Sequence, residues 1–196
     1  DIDGDSAPDI IINGAWFRNP RDILGGTWEA RVYTTTYSEP DAIVAAGDIN
    51  RDGRLDIVLT PAEEAGQRYH ISWFEAPLDP NDGSEWVEYI IDPDIEAVMH
   101  SLQVVDIDKD GDLDVITAAM HQGADPRVLL YINVGIGGLG TQWEPQTVAN
   151  ISSHSLQAAD FDRDGDIDLF GADWSDSPFV YMWRNDQNER LPLDQW

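Results

Sequence analysis

The chain of 196 residues carries 38 acidic side chains against 11 basic ones, for a net charge of −27. So acidic a surface excludes nucleic acid and anionic membrane as partners, since both are held by basic patches. There is no cysteine to form a disulfide, and no apolar run is long enough for a membrane-spanning helix, while the apolar and charged fractions are those of a globular protein.

The first segment, Asp1-Ile2-Asp3-Gly4-Asp5-Ser6-Ala7-Pro8-Asp9, sets a frame that returns three times. It recurs as Asp48-Ile49-Asn50-Arg51-Asp52-Gly53-Arg54-Leu55-Asp56, then from Asp106 through Asp108 and Asp110 to Asp114. The last copy runs from Asp160 through Asp162 and Asp164 to Asp168. Each copy puts oxygen side chains at positions 1, 3, 5 and 9, and three of the four put glycine at position 6. The starts lie 47, 58 and 54 residues apart, a period that points to a propeller or solenoid. The units are therefore 1–47, 48–105, 106–159 and 160–196 of one region.

Beta-branched and aromatic runs between turn formers predict strands in the same order in every unit. In the first unit they are 9–13, 15–18 and 28–33, called B, C and D by analogy with the later units. The second unit has A at 43–47, B at 55–60, C at 70–75 and D at 86–91. The third has 100–105, 113–118, 128–133 and 143–148, and the fourth 154–159, 167–172 and 179–184. Trp28, Trp86 and Trp143 open the D strands, and Trp196 stands where a fourth D would open. Aromatics of the C strands (Trp16, Phe17, Trp73, Phe74, Tyr131, Tyr181, Trp183) are expected in the core between units. Four antiparallel strands per repeat make the chain all-β, with the blades of a β-propeller.

Four carboxylates so close in sequence repel unless a cation neutralises them, and calcium accepts the irregular oxygen shell that such a loop offers. The expected ligands are Asp1, Asp3, Asp5, Asp9, Asp48, Asn50, Asp52, Asp56, Asp106, Asp108, Asp110, Asp114, Asp160, Asp162, Asp164 and Asp168, with about four Ca2+ ions, one per loop. An EF-hand does not fit. Its twelfth-position glutamate is replaced by Ile12, Leu59, Thr117 and Gly171, and strands follow rather than helices. The alternative is a set of solvated acidic turns. Calcium is plentiful outside cells, so a secreted or cell-surface location is expected.

Loops and strands together resemble FG-GAP/VCBS-type repeats, the blade unit of integrin α heads, some fungal lectins and many bacterial surface proteins. The resemblance implies a propeller, commonly seven-bladed, with strand A beside the axis. The first unit lacks strand A and the fourth stops at the start of D, so a larger propeller, or edges completed by another polypeptide, is expected.

That geometry puts the start of each A strand at the channel mouth, opposite the acidic loops. His100-Ser101-Leu102-Gln103 and His154-Ser155-Leu156-Gln157 occupy it, with His121, Glu63, Glu64, Asp173 and Trp174 on adjoining loops. One reading has the histidines cap turns by bonding to backbone. The other makes His100, His121, His154 and Trp174 a ligand-binding surface, or the histidines ligands for zinc. Three functions follow. The first is a calcium-stabilised adhesion module recognising a glycan or protein. The second is a polysaccharide lyase or sugar dehydratase using His100, His154, Arg68 and Arg127. The third is a subunit that self-assembles through its incomplete blades. Gly135–Gly140 reads as a flexible turn rather than a phosphate cradle.

Overall fold

A computed structural model describes residues 1–175 and 179–186; the expected D strand at Trp196 lies outside them. Fourteen strands form among the described residues: β1 (Ile10–Ile12), β2 (Ala15–Arg18), β3 (Glu29–Val32), β4 (Ala42–Gly47), β5 (Asp56–Pro61), β6 (Glu64–Glu75), β7 (Val87–Ala97), β8 (Met99–Val105), β9 (Asp114–Ala119), β10 (Val128–Asn133), β11 (Trp143–Ala149), β12 (Ser155–Ala159), β13 (Asp168–Ala172) and β14 (Val180–Trp183). They make four antiparallel sheets in sequence order, β1-β2-β3, β4-β5-β6-β7, β8-β9-β10-β11 and β12-β13-β14. The all-β, blade-by-blade expectation holds, with three strands in the first and last sheets.

Alternation decides what packs where. In β5 and β9 every residue is buried, because one face of each sheet meets the preceding blade and the other the next. The core therefore lies between sheets. Ile2 and Trp16 meet Ile57, Leu59 and Phe74 between the first and second sheets. Between the second and third, Ile49, Val58 and Trp73 meet Val115, Leu129 and Tyr131. Ile107, Ile116 and Leu130 meet Leu156 and Leu169 between the third and fourth. Of the seven aromatics expected between blades, Trp16, Trp73, Phe74 and Tyr131 are buried there and Trp183 packs half-buried against the last seam, whereas Phe17 and Tyr181 are only half-buried.

The inner strands β4, β8 and β12 stand side by side, as a shared axis requires. Ser101 locks two of them: its hydroxyl donates to the His154 carbonyl and accepts from the Leu156 amide, each at 3.0 Å. The outer strands β7 and β11 contain Pro93 and Pro145, which an edge tolerates and a central strand does not.

One expectation is corrected. The sequence predicts a loop over residues 64–69 with Arg68 ahead of strand C, yet β6 begins at Glu64. Its long partner β7 makes the difference. Glu64 pairs with Ala97 and Arg68 with Glu96, with register shifts between them. Gly66, at φ +80°, gives its amide to Glu96 at 2.9 Å, and Arg68 binds Asp94 at 2.6 Å. Cross-strand pairing and charge thus extend a ribbon whose sequence alone reads as polar loop.

Candidate functional site

Each acidic loop is wound by its own side chains. The first-position carboxylate accepts the sixth-residue amide in all four copies, at 2.8 Å (Asp1–Ser6), 2.9 Å (Asp48–Gly53), 3.1 Å (Asp106–Gly111) and 3.1 Å (Asp160–Gly165). The third position accepts the fifth amide, at 3.1–3.2 Å, and the fifth accepts the seventh, at 2.9 Å. The chain turns so sharply that positions 4 and 6 both take left-handed backbone. Arg51, Lys109 and Arg163 sit at φ +61° to +65°, and Gly53, Gly111 and Gly165 at +89° to +95°. Glycine relieves that at position 6, and Ser6 adopts it at +71°.

The ninth position does something else. Its carboxylate bridges two backbone amides, that of position 2 and that of a residue at the end of strand C. Asp114 accepts from Ile107 at 3.0 Å and Asn133 at 2.9 Å, and Asp56 accepts from Ile49 and Ala76, each at 2.9 Å. Asp9 and Asp168 repeat the pattern. These four were expected as metal ligands. They also staple the acidic loop to its own sheet, with one further lone pair left on each oxygen.

Several observations bear on a cation. Ligand atoms of Asp1, Asp3 and Asp5 lie within 4.8 Å of one another, as do those of Asp106, Asp108 and Asp114, and of Asp160, Asp162 and Asp168. A further group is Asp162, Asp164 and Asp186. In the second loop the neutral Asn50 stands in the third place. Asp106 Oδ1 is buried with no hydrogen-bond partner among the described residues. Burial pushes Asp56 and Asp114 up to about 7, with neighbouring loop carboxylates adding to the effect. Burial and the neighbours Asp110 and Asp106 likewise raise Asp108. All-oxygen donors, crowded charge and an orphaned buried oxygen fit a hard divalent ion such as calcium. Residues at positions 1, 3, 5 and 9 would hold it, and it would supply the positive charge that keeps them ionised.

The loops are also tied to one another. Arg51, in the second loop, reaches Asp112 of the third at 2.7 Å, and Lys109 reaches Asp166 of the fourth. The glycine-rich turn after β10 packs on the same end. The Gly140 carbonyl accepts from Trp73 Nε1 at 2.8 Å and Trp143 Nε1 at 3.0 Å. Gly138, at φ +67°, lies against Asp112 so closely that no β-carbon would fit. This turn is a structural plug and no phosphate cradle.

At the opposite ends of the inner strands, the structure gathers the predicted histidines. The rings of His100, in β8, and His154, just before β12, stack with centroids 3.8 Å apart. His100 Nε2 meets Glu63 at 2.5 Å, and Glu63 is held at φ +67°, a conformation rare for a non-glycine residue. His121 Nδ1 lies 3.5 Å from Asp173, and Trp174 stands edge-on to His121 at 5.0 Å and to His154 at 6.1 Å. Burial, and then the charge of His100, lower His154. Burial works the other way on Asp173, but hydrogen bonds from Ser152 and two backbone amides hold it below the usual carboxylate range. A cavity of about 330 Å3 is lined by His100, Gln103, His154 and Gln157, with Ile43 of the second sheet beside them.

Turn-capping does not describe these rings. Among the described residues their partners are the side chains of Glu63, Ser155 and Asp173. Zinc is not favoured either, since no histidine belongs to any group of three converging metal-ligand atoms among the described residues. The two arginines of the enzymatic reading stand apart. Arg68 binds Asp94, while Arg127 pairs with Asp125 at 3.1 Å and lines a different cavity with Asp92 and Tyr131. Glu64 lies exposed in β6. Sequence reasoning missed Ser152, and it missed the arginines Arg18, Arg54 and Arg184, which pair with loop carboxylates. A basic residue at position 4 of three loops was the visible signal for the inter-loop links.

Comparison with curated proteins found none that matches the chain. The model of the FG-GAP-like repeat matches residues 1–59 and 106–171. These segments hold all four acidic loops whole, with strands beside them, and they span most of the chain, which belongs to the FG-GAP-like repeat family.

Proposed function

We infer that this chain is a calcium-stabilised binding module of a secreted or cell-surface protein, and that a carbohydrate is taken on the histidine face. The observation carrying the second half is Trp174. Its side chain is exposed and stands beside His121, His154 and Asp173. An exposed indole beside paired donors and acceptors suits a sugar ring, whose apolar face stacks while its hydroxyls bond at the edge. Calcium acts at the other end by holding the loops that set the blades, so its binding is coupled to folding. A glycan array probed in calcium tests the reading. Trp174→Ala is expected to abolish the signal with the calcium-loaded melting temperature unchanged. Glycan binding that survives this substitution sinks the assignment of the face.

A second reading, self-assembly through the outer blades, is favoured by one observation. Phe161, Phe170 and Met182 are 42%, 41% and 46% exposed on the fourth sheet. The equivalent Ile107, Ile116 and Leu130 of the third sheet are buried against the next blade. Ile10, Ile12 and Val32 are likewise exposed on the first sheet. Sedimentation velocity over a concentration series tests it, with a concentration-independent monomer as the refuting result.

A further inference from the structure

We propose that the third acidic loop is the tightest calcium site of the four, because the other three hold an arginine against the carboxylates that would bind the ion. The proposal rests on the reading above that these loops take calcium.

In the first loop Arg18, the last residue of β2, spans Asp3 at 2.6 Å and Asp5 at 2.9 Å, and Arg21 adds a contact to Asp5 at 3.2 Å. Arg184 stands in the same register of the fourth sheet, just after β14. It lies 2.5 Å from Asp162, 3.5 Å from Asp164 and 2.6 Å from Asp186. In the second loop the cation comes from within. Arg54, at position 7, pairs with Asp52, and Asn50 removes one charge from the donor set.

The third loop has neither device. The residue matching Arg18 and Arg184 is Ile132, which is buried between the third and fourth sheets. Position 7 is Asp112, an acid whose own partner, Arg51, arrives from the second loop. Lys109 leaves for Asp166. Among the described residues no lysine or arginine pairs with Asp106, Asp108 or Asp110, and this is the loop with the orphaned oxygen on Asp106.

The physical consequence is a ranking. A divalent ion entering the third loop meets four carboxylates and, among the described residues, has no guanidinium or ammonium to dislodge from them. Entry to the others requires a guanidinium to give up charge-assisted hydrogen bonds, or to stay and repel the incoming charge. The same arginines stabilise those loops before calcium arrives, so the calcium-free protein is held at three loops and strained at the third.

Isothermal titration of decalcified protein with CaCl2 tests this. One site is expected to bind about tenfold or more tightly than the rest. Asp108→Asn should remove that tight site, and Arg18→Gln should raise the number of tight sites from one to two. Arg18→Gln should also lower the melting temperature without calcium and recover it with calcium. Circular dichroism checks each fold; should Asp108→Asn not fold, the Arg18→Gln titration decides alone. Equivalent sites in the unmodified protein, or a tight class unmoved by Arg18→Gln, overturn the ranking but leave calcium binding standing. No heat and no thermal shift with calcium overturn both.

Discussion

Replacing Asp114 by asparagine separates the two jobs of the ninth loop position. The carboxylate is fully buried, and each oxygen accepts one backbone amide, from Ile107 at 3.0 Å and from Asn133 at 2.9 Å. Asparagine keeps one acceptor and turns an NH2 group toward the other N–H. Two buried donors are then unpaired, at about 1–3 kcal/mol each. Removing a buried charge gives part of this back, which leaves a net loss of about 2–4 kcal/mol. For a chain of this size about 2–4 °C follows each kcal/mol, so the melting temperature should fall by about 4–16 °C. The assay is thermal denaturation at pH 8, with calcium and with excess chelator, beside Asp108→Asn. Asp108 Oδ1 accepts the Asp110 amide, a bond that asparagine keeps. Asp108→Asn should therefore destabilise only when calcium is present, and Asp114→Asn in both conditions. An Asp114→Asn protein that melts with the parent in chelator would refute the assignment of this residue to a structural staple.

Chelation alone should lower the melting temperature of the parent sharply, since a single site held at a hundred times its Kd contributes about 2.7 kcal/mol. An unchanged differential-scanning trace in excess chelator contradicts calcium-coupled folding. The calcium-free protein should also become less stable as pH rises from 5 to 8. Asp56 and Asp114 have folded pKa values of about 7, above the usual carboxylate range, so their contribution is complete below about pH 4 and is lost on passing 7. Saturating calcium should flatten that slope; a calcium-free melting temperature that climbs with pH contradicts the sign. Trp73→Phe should cost about 1–3 kcal/mol in urea denaturation, because it leaves a gap in the buried seam and removes the 2.8 Å bond to the Gly140 carbonyl. A midpoint equal to the parent's would show that the turn does not anchor the second blade.

The acidic repeat, the blade strands and the seam aromatics were legible in the sequence for one reason. Each is set by local chemistry repeated in register. Unbroken β-branched and apolar runs mark β5 and β9, as strands buried on both faces require, and four oxygen-bearing positions around a tight turn mark the loops. The two His-Ser-Leu-Gln segments placed their histidines at one end of neighbouring strands, and the stacked rings of His100 and His154 follow from that repetition. What tertiary structure alone decided are contacts between residues far apart in sequence. The extension of β6 came from β7 pairing back on it, and that pairing drew Arg68 to Asp94 instead of to the histidines. The partners of the loop carboxylates were settled the same way, because Arg18, Arg184 and Ile132 share a register only once β2, β14 and β10 have paired in their sheets. A periodic sequence specifies the blade and its turn, whereas the charge that faces each turn depends on a neighbouring strand and is fixed only by packing.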